Sequence, residues 1–290
     1  MSDWSSPVGP SDDPSPYPLG GLATALRVLF VLAAVLATAL AFLAVRMRAA
    51  LDGVDAGRED RADAQAAVDS FLGGASVVFL LTVAIGVVFV VWLWRAARNN
   101  QRLGRPGALG PGWAIGAWFI PIGSLVLPGL QVQQVWKGAE SSVPRGHSSW
   151  REVRANPQIW LWWVAYVVGQ VLTFVGFGLL GQTDDPQGEV LVADLLDHLE
   201  EVQRGISLFV AGQVALVLAA ALGAAMVVNL SRRQETAVSV LGVGGPPWAG
   251  RVSPPAWHPD PTGRFELRYW DGALWTEHVT RNGEQTTDPV

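Results

Sequence analysis

Cysteine is absent from the 290-residue chain. That excludes disulfides, thiolate metal sites and cysteine nucleophiles. Lysine is almost absent too: of 20 basic residues only Lys137 is lysine. With the abundant Ala and Gly, this bias points to a GC-rich bacterial genome. No basic run is long enough to grip nucleic acid, and the formal net charge is −5. Catalytic patterns are missing as well: no Walker loop, nucleophile elbow, Ser-x-x-Lys or His-Glu-x-x-His occurs. His147, His198, His258 and His278 show no ligand pairing. Asp52, Asp55, Glu59 and Asp60 lack the spacing and glycine of a calcium loop. No cofactor, no metal and no enzymatic activity are expected.

Charge itself is scarce, at 16% of residues, against about 25% in a soluble domain. Five stretches carry none: 28–45, 70–94, 106–136, 155–183 and 205–231. An uncharged, mostly apolar run of about 18 residues reads as a membrane helix, because the hydrocarbon core is about 30 Å thick. Spans are expected at 22–45, 71–94, 159–180 and 206–230. The remaining run, 113–136, differs. Pro121 and Pro128 each remove a backbone donor, and Gly116, Gly123 and Gly129 weaken a helix further. This segment is either a kinked span or a re-entrant hairpin turning near Pro121–Ser124. The predicted fold is an all-α polytopic bundle of four spanning helices plus this broken segment, followed by a small C-terminal β-hairpin module.

Basic residues near span ends favour the cytoplasm. A re-entrant segment with the N-terminus inside places eleven basic residues inside and five outside. Five full spans with the N-terminus outside give ten against six. The second arrangement exports an acid-free loop containing Arg95, Arg98, Arg102 and Arg105, so the first is favoured. Both put the C-terminus in the cytoplasm. The expected location is a bacterial plasma membrane.

Residues 1–21 are rich in Ser, Pro, Asp and Gly and read as a disordered tail. The helical membrane domain covers 22–234. An amphipathic acidic helix over 188–204, with Leu191, Leu195, Leu199 and Val202 on one face, is expected to cap the bundle. Residues 235–255 form a Gly/Pro linker, 256–282 a Trp-rich β mini-domain and 283–290 a tail. In the mini-domain, strand-like segments at 264–270 and 273–279 flank Asp271-Gly272, a hairpin signal.

Two groups of residues carry resemblances. Trp92, Arg95, Ala96 and Asn99, followed by Phe119, Pro121 and Pro128, resemble an actinobacterial multi-pass membrane family, domain of unknown function 4328. Ser124 stands where that family often has Asn, and Gly129 where it often has an aromatic residue. The unit containing Trp257, Pro259, Asp260, Pro261, Arg268, Tyr269, Trp270, Asp271, Gly272, Trp275 and Thr276 is similar to domain of unknown function 2510. Neither resemblance implies an assigned activity.

Three candidate sites follow from the residues. Arg95, Arg98 and Arg102 could hold anionic lipid, although basic residues at a span end are also ordinary topology anchors. Pro121, Ser124 and Pro128 shape the broken segment, either as a functional loop or as a packing device. Trp257, Tyr269, Trp270 and Trp275 could bind a protein partner or Pro-rich peptide, or simply form the core of a tiny fold. Gln170 and Gln213 are the most polar groups deep in the spans, where hydrogen bonding between helices is their usual role. The spans contain no acid, His or Lys, which argues against proton coupling. The favoured function is a non-enzymatic membrane scaffold or sensor that recruits a partner through the C-terminal module. The alternative is a small-solute or lipid pathway using the broken segment. Oligomeric state is left open.

Overall fold

The computed structural model describes residues 16–180, 192–243, 255–271 and 274–288. The expectations for 1–15, for 188–191 and for most of the linker fall outside these. The chain forms two compact units, a helical one at Tyr17–Glu235 and a C-terminal one containing a sheet.

Four helices are long and apolar enough to cross a membrane: α1 (Gly20–Asp55), α2 (Arg61–Arg102), α5 (Pro157–Leu180) and α7 (Leu199–Val240). Each contains one of the four expected spans. At about 1.5 Å per residue, α2 and α7, with 42 residues each, extend well beyond the hydrocarbon. Val28, Val35 and Phe42 of α1, Phe79 and Leu80 of α2, and Phe174 of α5 point outward. A surface this apolar suits lipid rather than water.

Two clusters hold the helical unit. One contains Phe30, Phe89, Trp92, Trp162, Trp163 and Val227. The other, at the far ends of the helices, contains Met47, Leu51, Val68, Phe71, Leu180 and Phe209. The short α6 (Val192–Asp197) joins the second cluster through Val192 and Leu195. The acidic segment thus packs on the bundle, although it is not one helix: a break at His198 separates α6 from α7.

Helices α5 and α7 meet backbone to backbone. A Cβ on Gly176 would stand 2.6 Å from the Phe209 nitrogen, and one on Gly212 would stand 2.9 Å from the Gly169 carbonyl oxygen. Gly169 and Gly176 therefore interleave with Gly205 and Gly212, each pair seven residues apart. Small residues allow such close approach where no hydrophobic effect drives helices together.

Between α2 and α5 the broken segment folds as α3 (Trp113–Gly116), two 3-10 turns (Ala117–Phe119 and Gly123–Leu125) and α4 (Leu127–Gly138). Its two ends lie side by side. The Gly146 amide donates to the Gly104 carbonyl, the Leu109 amide to Gln134 Oε1, and Gln131 Nε2 to the Gly110 carbonyl. The segment thus enters and leaves at the same end of the bundle. This path is that of a re-entrant segment between four candidate spans, not of a fifth crossing. At 12 residues, α4 is about 18 Å long, too short to cross.

The C-terminal unit is a four-stranded antiparallel sheet in the order β1 (Ala256–Pro259), β2 (Leu267–Trp270), β3 (Trp275–Arg281), β4 (Glu284–Thr287). The expected hairpin is its central β2–β3 pair, but the strands cover 267–270 and 275–281 instead of 264–270 and 273–279, and Trp270 pairs with Trp275, so the connection is 271–274 and not Asp271-Gly272 alone. Three expected boundaries need correction. The tail placed at 283–290 supplies β4, turned back by Asn282-Gly283, both with positive φ. Residues 235–240 of the expected linker continue α7. Residues 17–21 of the expected N-terminal tail are ordered against the bundle: Leu19 is fully buried and Gly20 opens α1.

Candidate functional site

The polar end of α2 gathers the residues that sequence reading grouped as a span exit. Trp92 Nε1 donates to Ser231 Oγ on α7 at 2.9 Å, inside the protein. Asn99 Oδ1 accepts the Tyr17 amide, and Asn99 Nδ2 donates to the Tyr17 carbonyl. Gln234 Nε2, on α7, donates to the Ala96 carbonyl and to Asn100 Oδ1. Asn100 Nδ2 donates in turn to the Gln134 carbonyl of α4. Buried amides in an apolar bundle must be paired, and these pair across α2, α4, α7 and the N-terminal arm. The pattern Trp92, Ala96, Asn99 is therefore a latch joining four chain segments.

The three arginines proposed for anionic lipid surround this latch. Arg95 donates to the Pro18 carbonyl. Arg98 lies over the Trp94 ring and donates to Gln101. Arg102 lies over the Tyr17 ring, 4.3 Å from its centre. Each is engaged by the protein, two of them by the arm that precedes α1. Arg105, which sequence reading counted only as a charge, does more. Its guanidinium is buried and donates to the carbonyls of Gly138, Glu140, Val143 and Pro144. It thereby collects the orphan carbonyls beyond the end of α4. Burial lowers its pKa while the nearby Glu140 charge works in the other direction. No sequence signal distinguished Arg105 from its neighbours, because its acceptors are main-chain atoms 33 or more residues away.

At the tip of the broken segment each singled-out residue has a local task. The Pro121 carbonyl accepts from Ser124 Oγ at 2.9 Å, and the Ser124 amide donates to Ile120. Pro128 sits in the first turn of α4, where a missing N–H costs nothing. Trp163 Nε1 donates to the Leu125 carbonyl at 2.7 Å. Gly129 leaves room for the Trp163 ring, 2.8 Å from where a Cβ would stand. Irregular backbone at membrane depth survives only when its polar groups are satisfied, and here protein supplies the partners. Phe119 and Ile122, 80% and 82% exposed, point outward from the tip.

In the sheet, the four aromatic residues divide. Trp257 pairs with Tyr269 in register, their rings 5.2 Å apart and steeply inclined. Trp270 pairs with Trp275, rings 5.3 Å apart. Alternation along β2 puts Tyr269 and Trp270 on opposite faces. The candidate binding residues therefore form two aromatic pairs, one per face, all half-buried. The centre of the unit is ionic instead. Arg268 is 1% exposed. It donates to Asp260 Oδ1 at 2.9 Å, to the Thr276 carbonyl and to Asp288. Asp260 also accepts from the Thr262 amide and hydroxyl and the amides of Arg264 and Phe265. Burial opposes its ionisation, but the hydrogen bonds from Thr262, Arg268 and Phe265 hold its pKa well below the usual carboxylate range. Asp288 lay in the expected tail and was missed. Arg268 and Asp260 had been noted only as part of a resemblance.

Among the described residues no group of three or more His, Cys, Asp or Glu could hold a metal ion. No curated protein and no solved structure matches the chain. The C-terminal sheet, over residues 255–288, matches the family described as Protein of unknown function (DUF2510). Residues 55–232, which include Trp92, Asn99, Asn100 and the whole re-entrant segment, match the family described as Domain of unknown function (DUF4328). The chain is thus a multi-pass membrane protein that belongs to the DUF4328 family and carries a C-terminal DUF2510 sheet.

Proposed function

We propose that this protein is a non-enzymatic membrane adaptor whose C-terminal sheet binds a proline-rich segment of a protein partner. One observation carries the reading. The sheet is centred on Arg268, Asp260 and Asp288, so its aromatic residues are not all consumed by the core. Trp257 and Tyr269 instead present a half-buried ring pair on adjacent strands. Extended proline helices dock on such aromatic ridges because their shape is preformed and little entropy is lost.

The helical unit is the anchor in this reading. Its latch is satisfied by the protein's own groups, and Pro121, Ser124 and Pro128 build the turn rather than a lined opening. These features favour an anchor over a solute or lipid pathway at the broken segment. The charge balance supports a plasma membrane with the latch end in the cytoplasm. That end gathers Arg95, Arg98, Arg102, Arg105, Lys137 and Arg145, and an excess of basic residues marks the cytoplasmic side. Both the N-terminal arm, tied through Tyr17 to Asn99, and the α7 segment tied through Gln234 to Asn100 lie at it.

The test uses the full chain in lipid nanodiscs and a decaproline peptide as probe. Saturable binding that falls at least tenfold in Trp257→Ala and in Tyr269→Ala is expected. An equal fall in Trp270→Ala alone would move the site to the other face. Absence of binding to the unsubstituted protein overturns the reading.

A further inference from the structure

The helical unit holds a pocket of about 110 Å³ among its spanning helices, closed on its inner side and open at its outer edge. Helices α1, α2, α5 and α7 all contribute walls, and Trp118 of the re-entrant segment closes part of it. The space exists because several lining residues are small: Ala33 and Ala37 on α1, Gly86 on α2, Ala219 and Ala220 on α7. Protein interiors are packed tightly, and voids of this size are few. An apolar cavity of about 150 Å³ holds a benzene molecule, so this one is on the scale of a single small ring.

Its walls are mainly aromatic. Phe89, Trp162 and Tyr166 line it, and Phe89 and Trp162 stand 5.5 Å apart between centres. Thr82, Tyr166, Gln170 and Gln213 also present polar groups to it, and the first three are already paired. Thr82 donates to the Val78 carbonyl of its own helix. Tyr166 and Gln170 hydrogen-bond each other. Gln213 is different. It is 1% exposed and its Nε2 donates to Thr173 Oγ1 at 3.1 Å, but its Oε1 has no partner. An unpaired acceptor deep in a bilayer protein is costly. Its pairing is expected to come from a donor that enters the cavity.

We propose that this cavity is a binding site for a single-ring aromatic alcohol, a phenol, whose hydroxyl donates to Gln213 Oε1 and whose ring lies among Phe89, Trp162 and Tyr166. The ring can belong to a free phenol or to the head of a lipid-tailed phenol or quinol whose tail lies in the bilayer. The chemistry recognised is the same in both. The site is independent of the sheet and of the adaptor reading.

The test again uses the full chain in nanodiscs. Fluorine NMR with 4-fluorophenol should show a saturable bound signal displaced by phenol. The matched ring without a hydroxyl, 4-fluorotoluene, should bind at least tenfold more weakly. Gln213→Leu should bring the two ligands to equal affinity. Ala219→Leu or Ala37→Leu, which fill the void from two different helices, should abolish binding of both, with an unshifted melting temperature showing that the variant is folded. Competition by 4-nonylphenol that exceeds phenol assigns the site to a tailed ligand, and equal competition assigns it to a free one. The proposal is overturned by any of three results: no saturable 4-fluorophenol signal, equal affinity for 4-fluorotoluene in the unsubstituted protein, or binding that survives in both folded cavity-filled variants.

Discussion

Arg268 carries more of the C-terminal unit than any aromatic residue does. A sheet of this size has little apolar area to bury, so a buried ion pair at its centre is decisive once formed. Removing one partner leaves the other charged and unpaired in the interior, which costs about 3–5 kcal/mol. Arg268→Leu should therefore unfold the sheet within the full chain. Limited trypsin digestion should then cut at Arg264 and Arg281, which stay protected in the unsubstituted protein. Acid should act at the same place. The folded carboxyl of Asp260 has a depressed pKa, whereas an unfolded aspartate titrates near about 3.9. Its contribution is complete above that value and is lost as pH falls below it. Hydrogen exchange of 256–288, corrected for intrinsic rate, should show protection at pH 5 that declines toward pH 2.5. Protection that is unchanged at pH 2.5 would refute this account. The pattern that matched the sheet to its family contained Arg268 and Asp260, but not their pairing. Asp288 is 20 residues from Arg268, and only the added strand β4 brings it back.

At the scale of the element, glycine decides how closely α5 and α7 approach. Gly176 faces the backbone of Phe209 and Gly205, so even a methyl group there must push the helices apart. Gly176→Ala should cost about 1–3 kcal/mol and lower the melting temperature of the nanodisc-embedded chain. Gly178→Ala is the control: a Cβ there meets nothing within 4 Å, and alanine favours helix, so no loss is expected. An equal loss in both variants would show that the contact is not limiting. In the last span Ala211, Ala215, Ala219 and Gly223 form a stripe of small residues at helical spacing, the pattern that fits close helix packing. The backbone-to-backbone contact with α5 uses Gly205 and Gly212, while Gly223 of that stripe makes room for the Trp162 and Phe30 side chains. Ala211 faces outward. Composition marked the right helix, but a single period could not tell which of several small-residue stripes would meet a neighbour. The broken segment was more legible. Its prolines argued against a plain crossing, and Pro128 does open a new helix.

For the whole molecule, four crossings and one re-entrant segment put 104–112 and 138–154 at the same end and the α1–α2 loop at the other. The cysteine-free chain suits labelling. Single substitutions Ala108→Cys and His147→Cys should react with an impermeant maleimide from one side of sealed vesicles, and Ala56→Cys from the other. Labelling of Ala56→Cys together with His147→Cys, with Ala108→Cys on the opposite side, would restore the five-span arrangement. Charge counting nearly tied these two arrangements because moving one loop across the membrane changes the sum by only a few arginines. The contacts between Gly104 and Gly146, and between Arg105 and the carbonyls beyond α4, separate them without any charge argument.

What the sequence determined by itself was the solvent of each segment. Long apolar runs without charge favour hydrocarbon over water, so the four spans and the existence of an irregular fifth run follow from one-dimensional order. The turn residues of the sheet are equally local, and so the β2–β3 hairpin was readable. What the tertiary structure decided were the meetings of groups far apart in the chain: Asn99 with Tyr17, Arg105 with the end of α4, Arg268 with Asp288, and Gln213 with Thr173, its Oε1 left without a partner. Their physical basis is common. A buried polar group must find whatever partner the fold delivers, and that partner is set by packing, which no local pattern of residues encodes.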